Sequence, residues 1–305
     1  MRYTLCALAL AIGGAAPALA QKEQVIPVPG FADFLAVDGD TVWATNKGRV
    51  EQWSRKGLKA TVPMAHPCGA MAFEHDTLWV ADCDQRTLNR VDARAARLVA
   101  TIPTGVAHPD GELNVVAGAG SIWIATDAKG IVSRVDPATN GVVATIAVTP
   151  DTSYLAFGFD AVWAVSLQGQ TLQRIDPVTN AVVATIPLGA KPGFLAAGEG
   201  AVWVQEQGDG TVARIDPATN TVTGRVKVGA KLAYGDIDTG GGKLWLRTTE
   251  DQTFVVIDPQ TLAIRARVGK AVGSGALRYA GKGVWTSAHD HHTLSWWTKP
   301  ERIGK

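Results

Sequence analysis

The segment GAVWVQEQGDGTVARIDPATN, Gly200–Asn220, is one copy of a unit that recurs along almost the whole chain. Registering the copies on their tryptophan gives Trp43, Trp79, Trp123, Trp163, Trp203, Trp245 and Trp285, spaced by 36, 44, 40, 40, 42 and 40 residues. That period matches the length of a four-stranded propeller blade. Just before the quoted copy, the apolar run Gly193–Ala197 turns at Gly198-Glu-Gly200 into Ala201-Val-Trp-Val204, a hairpin signature. Beyond the polar stretch Gln205–Gly210, the run Thr211–Ile215 meets Asp216-Pro-Ala-Thr-Asn220, where Asp and Pro set a tight turn, and Thr221–Val228 completes the unit. Strands this short cannot bury both faces of their own sheet, so each unit has to stack on its copies. The expected fold is an all-β, seven-bladed β-propeller of four-stranded antiparallel blades. Period-2 patterns and Gly/Pro punctuation exclude a helical solenoid.

Residues 1–20 carry Arg2, an apolar core around Leu5–Ile12 and a terminal Ala18-Leu-Ala20, the pattern of a cleaved secretory signal peptide. The reading is therefore a leader followed by a single propeller domain, 21–305, periplasmic or secreted and without membrane insertion. The balance of 29 basic and 28 acidic residues argues against a nucleic-acid or membrane-surface partner. Outer-strand patterns recur at Thr61, Thr101, Thr145, Thr185, Arg225 and Arg265, and one more precedes the first unit at Gln24–Pro29, while the last unit lacks its own. Val25–Pro29 is thus expected to complete the last blade and close the ring, leaving no edge that demands a partner and suggesting a monomer.

Cys6 leaves with the leader, so Cys68 and Cys83 remain. A tight turn at His75-Asp76 would oppose Phe73 to Leu78 and Cys68 to Cys83, predicting a cross-strand disulfide in an oxidising compartment. The alternative is a thiol nucleophile beside His66.

With strands named A to D from the axis outwards, the A–B and C–D turns lie on one face and the D–A and B–C connections on the other. The A–B turns are near-copies of one another, whereas the D–A and B–C segments differ in every unit and hold the unusual chemistry, including His66, His108, Glu112, Tyr154, Tyr234, Asp236 and His289-Asp-His-His292. Repeat units diverge where stacking does not constrain them, which places the functional face there. Seven residues before each Trp stand Ala36, Ala72, Val116, Ala156, Ala196, Asp238 and Arg278. Two buried ions on neighbouring inner strands need pairing, so an Asp238–Arg278 contact is expected near the axis, either as a ring-closure ion pair or as a charged ligand pocket with Asp236. In an extended segment His289 and His291 would point the same way and share a divalent metal, with an acid from a nearby loop completing the shell.

The unit G-x-G-x-V-W-V…G-T-V-x-R-I-D-P-A-T-N-x-V-V-A-T-I-P-V-G resembles the YVTN-type β-propeller repeats and is similar to the propellers of streptogramin (virginiamycin B) lyases. The resemblance covers essentially the whole mature chain. It implies the propeller fold and an activity drawn from a range that includes binding proteins, lactonases and lyases. The lyases carry Pro-His-(Gly/Ala)-Ile at the start of an inner strand, with a Glu, a second His and a magnesium ion. Here the corresponding slots read Pro67-Cys-Gly-Ala70 and Pro192-Gly-Phe-Leu195, without that histidine.

Two functional expectations follow. The first is a binding protein that recognises a small molecule, peptide or periplasmic protein at the D–A/B–C face, through Tyr154, Tyr234, His108, Glu112, Asp236, Asp238 and Arg278. The alternative is a metal-dependent lyase or lactonase at the same mouth, with Asp236, Glu112 or His66 as the catalytic group. A purely structural module would instead show a filled channel and a broad apolar loop patch.

Overall fold

The computed structural model describes residues 22–110, 112–233, 235–248 and 251–305. The leader expected over 1–20 and the candidate Tyr234 lie outside the described residues. Each Trp-centred unit folds into a four-stranded antiparallel sheet, and seven such sheets pack side by side with their A strands around one axis. Blade five, the quoted copy, has strands Pro192–Gly198, Ala201–Glu206, Thr211–Asp216 and Thr221–Lys227. Its A–B turn places Glu199 and Gly200 at φ 49° and 80°, the left-handed pair whose twist joins two strands tightly. Among the described residues no helix is long and apolar enough to cross a membrane.

All seven tryptophans are at most 1% exposed, filling the space between sheets. In blades two to four the C strand adds a second layer: Arg90, Arg134 and Arg174 lie over Trp79, Trp123 and Trp163 at 5.3, 5.1 and 5.4 Å from the ring centroids. Each guanidinium then reaches into the next blade's C–D turn. Arg134 donates to Pro177 O at 2.7 Å and Asn180 Oδ1 at 3.0 Å, and Arg174 makes the same pair of bonds to Pro217 and Asn220. The Asp-Pro-x-Thr-Asn motif is therefore both a turn and a socket. Its Asn tolerates the left-handed conformation, φ 54° at Asn180, while offering the acceptor. The series stops at blade five, because blade six carries Leu262 in the Asn slot and Arg214 turns back to Thr223 Oγ1.

The ring closes as expected. Glu23–Pro27 pairs antiparallel with the C strand of blade seven, Thr293–Thr298, so the outer strand starts two residues earlier than the Val25–Pro29 reading. The tail adds a clasp: Ile303 is buried in the core of blade six, and Lys243 Nζ donates to Pro300 O at 2.7 Å.

The disulfide Cys68–Cys83 is present, with Cα atoms 5.9 Å apart. Its expected register is only half right. His75 and Asp76 form the tight turn and Phe73 opposes Leu78, but the register shifts between Ala72 and Cys68, so Cys68 faces Ala81. The cause is Gly69, at φ 73°, where a Cβ would stand 2.2 Å from Leu113 O. There the strand leaves its own hairpin, with Ala70 N donating to Leu113 O and Val115 N to Ala70 O of the neighbouring blade. The disulfide bridges this bulge.

Two outcomes are expected in urea titrations. Arg174→Ala costs about 1–2 kcal/mol through lost ring stacking and hydrogen bonds, and Arg214→Ala, which has no socket in the next blade, costs less. Replacing both cysteines by serine lowers the unfolding free energy by about 3 kcal/mol, as for a cross-link closing a loop of this length.

Candidate functional site

Nine residues before each Trp the inner strands carry Phe34, Ala70, Asn114, Tyr154, Phe194, Asp236 and Ala276. Phe34, Tyr154 and Phe194 come from blades one, four and five, so Phe34 meets Phe194 across the axis while Tyr154 meets it from the adjacent blade. Their ring centroids stand 6.3 Å apart for Phe34–Phe194 and 4.6 Å for Tyr154–Phe194. This aromatic layer divides the channel into a vestibule at the A–B end and a mouth at the D–A/B–C end.

The expected Asp238–Arg278 contact is replaced by another. Arg278 Nη1 pairs with Asp236 Oδ2, one pleat closer to the mouth. Asp238 instead accepts the backbone N–H groups of Thr239 and Tyr279, each at 2.8 Å, and Asp236 Oδ2 accepts Leu277 N–H at 3.1 Å. The reason lies in the backbone: inner-strand N–H groups of blade seven need acceptors, and the two aspartates of blade six supply them. Both aspartates thus stitch blade six to blade seven, and Arg278 balances their charge. Burial pushes the Asp238 carboxyl up to about 6, with Arg278 and the backbone donors opposing. Burial works against the Arg278 charge, but Asp236 and Asp238 outweigh it and hold its pKa above the usual value. Asp238 and Arg278 line the vestibule, and among the three only Asp236 stands level with the aromatic layer beneath the mouth.

At the mouth the structure brings forward a residue that sequence reading passed over. Asp33 precedes Phe34 in the D–A loop of blade one, and its side chain is 20% exposed. Burial pushes its carboxyl up to about 7, helped by the negative charges of Glu112, Asp236 and Asp290 and opposed by Arg247. Burial also raises Glu112, against the hydrogen bond from Tyr154 Oη to Glu112 Oε2 at 3.2 Å, with Asp236 adding to the rise. Burial and the nearby Glu112 drive the Tyr154 hydroxyl far above its usual range, so it stays a donor. Arg247, the second missed residue, is fully buried and donates to four backbone carbonyls, those of Thr248, Thr253, Gly273 and Ser287. Burial lowers it to about 10 while Asp236, Asp33 and Asp290 oppose. Both had a signal in the alignment of units: Asp33 is the one charged residue ten before a Trp, and Arg247 the one charged residue two after.

The other candidates separate. His66 sits on the rim, 2.9 Å from Asp84 Oδ1, and shares with Asp33 and Glu112 a cavity of about 210 Å³. Phe31, Phe34, Pro67, Cys68 and Lys47 line the same cavity. His108 lies behind Glu112 in a neighbouring depression, its Nε2 3.2 Å from Asp151 Oδ1. His289–His291 form a 3-10 turn, which corrects the extended segment expected there. His289 turns inward and stacks on Phe31 at 4.0 Å, with Lys47 Nζ 5.3 Å from the centroid of the Phe31 ring, while His291 is exposed. The two imidazoles therefore face different surroundings. Among the described residues no group of three or more His, Cys, Asp or Glu side chains is placed to hold a metal.

More than nine-tenths of the chain can be superimposed on solved propellers. The virginiamycin B lyase of Staphylococcus aureus matches with a TM-score of 0.75 over 91% of this chain and 99% of its own, at 14% identity. A streptogramin B lyase structure matches with a TM-score of 0.75 over 93% and 99%, also at 14% identity. The likeness is one of fold. No family model and no curated protein matches the sequence.

A carboxyl whose folded-state pKa is raised binds its proton more tightly when folded, so its ionisation opposes folding as pH climbs from about 4 through 7. Asp33→Asn is therefore expected to stabilise the protein by a few kcal/mol at pH 8 and by almost nothing at pH 4, read from urea midpoints at both values.

Proposed function

We propose that this chain is an extracytoplasmic binding propeller that takes a small organic ligand into the D–A/B–C mouth, a cationic group of the ligand lying between Asp33 and Glu112. The carrying observation is that carboxylates from blades one and three line one partly apolar cavity of about 210 Å³, and that among the described residues no guanidinium or ammonium is bonded to either, the Lys47 ammonium of the same cavity lying over the Phe31 ring. The bond from Tyr154 reaches Glu112, and His289 stands 4.0 Å from Asp33 with its pKa lowered by burial. Desolvated carboxylates without a counterion favour a ligand that brings one, and Phe31 and Phe34 favour an apolar body attached to it. The formation of a disulfide suits an oxidising compartment. Calorimetry with phenethylammonium, phenethyl alcohol and phenylacetate tests the reading. The ammonium is expected to bind best and to lose at least tenfold in affinity in Asp33→Asn and in Glu112→Gln. Equal binding of all three, or of none, rules it out.

One feature favours a second reading, a lyase: burial pushes the Asp33 carboxyl up to about 7, into the range where a general base works best. In that reading the Asp33 carboxylate takes a proton from a carbon beside a carbonyl. The C–H electron pair becomes a C=C bond, the C–O bond breaks, and protonated Glu112 gives its proton to the leaving oxygen. Chromatography with tandem mass spectrometry of a cyclic depsipeptide lactone exposed to the protein decides: a ring-opened isomer of unchanged mass marks a lyase, and gain of one water marks a lactonase. An unchanged lactone, or opening that survives Asp33→Asn, removes this reading.

A further inference from the structure

The A–B end of the channel leads into a cavity of about 280 Å³, which the aromatic layer of Phe34, Tyr154 and Phe194 separates from the opposite mouth. Ala72, Val116, Ala156 and Ala196 present small apolar side chains to it from blades two to five. The facing wall is built differently, with Asp238 from blade six and Arg278 from blade seven. Among bonds to described residues, those Arg278 donates leave only from Nη1, to Asp236 and to Leu277 O, and its side chain keeps 19% exposure. Nε and Nη2 remain as donors. Asn114, 6% exposed, contributes to the wall at the inner end. Its Nδ2 donates to Leu155 O at 3.0 Å, and its Oδ1 has no hydrogen-bond partner.

We propose that this vestibule is a second binding site, separate from the mouth, for a small uncharged ligand with an apolar body and a carboxamide-type head. Charge decides the class. Arg278 already stands between two carboxylates, so a ligand anion would approach a wall with a surplus of negative charge. An ammonium, although drawn by that surplus, would be repelled by the guanidinium it must touch, and its remaining N–H groups would face alanine and valine methyl groups that accept nothing. A carboxamide meets neither repulsion, because its oxygen accepts from Arg278 while its N–H donates to Asp238 or to Asn114 Oδ1. An uncharged head also loses little on leaving water, provided its hydrogen bonds are remade. The alanine-lined remainder takes a compact apolar body, and the volume suits a ligand at the small end of ordinary pockets.

Ligand-observed NMR and calorimetry on the full mature chain, with benzamide, benzoate and benzylammonium, test this site. Benzamide is expected to bind at least tenfold more tightly than either ion. Ala156→Leu, which fills the cavity without touching the aspartate stitches, should abolish benzamide binding with an unchanged melting temperature. Arg278→Gln should weaken it at least tenfold, and because that variant loosens blades six and seven, Ala156→Leu carries the decision if it fails to fold. Phenethylammonium affinity at the other mouth should stay the same in Ala156→Leu, so failure of one site is distinguishable from failure of the other. Absence of benzamide binding, binding indifferent to Ala156→Leu, or preference for benzoate or benzylammonium overturns the proposal.

Discussion

The ring depends on a tryptophan buried between sheets and, in blades two to four, held beneath an arginine that is bonded to the next blade. The indole supplies apolar area, which is large but has no direction. The guanidinium supplies direction, since it lies over the ring in its own sheet while its Nη1 is committed to a carbonyl and an asparagine of its neighbour. Each Arg follows its Trp by eleven residues in these blades, and the socket it enters is the turn of the following unit. The link tolerates a longer connection between units, since Arg90 reaches Pro137 and Asn140 across a 44-residue Trp spacing as Arg134 and Arg174 reach their sockets across 40.

Blades six and seven solve the same stacking problem by other means. The asparagine socket is gone, and two aspartate side chains accept the inner-strand N–H groups of Leu277 and Tyr279. Buried carboxylates are costly unless paired, so Arg278 follows from them. The terminal clasp of Ile303 and Lys243 reinforces the same sector, where the first and last strands have to meet.

The channel is crossed by an aromatic layer, and polar groups converge on both sides of it. At the mouth Asp33 and Glu112 are kept partly desolvated with no cation bonded to either among the described residues, Arg247 acting on Asp33 only through its field, a condition that opposes folding and that binding or proton-transfer sites commonly retain. Arg247 ties blade six to blade seven beside them by capturing four carbonyls.

The amino-acid sequence alone determined the number of blades, the strands of each, the closing role of the N-terminal strand and the cysteine pair, because all of these follow from periodicity and turn chemistry, which are local. It also marked the odd residues of each repeat column, Asp236, Asp238 and Arg278, and the same columns mark Asp33 and Arg247 when read in full. Only the tertiary structure decided which of these meet: Arg278 with Asp236 instead of Asp238, Cys68 bridged across a bulge instead of a regular pair, and His289 turned onto Phe31 while His291 faces solvent. Partner choice around an axis depends on distances between residues of different blades and on which backbone N–H groups lack acceptors. Neither quantity is set within a single repeat.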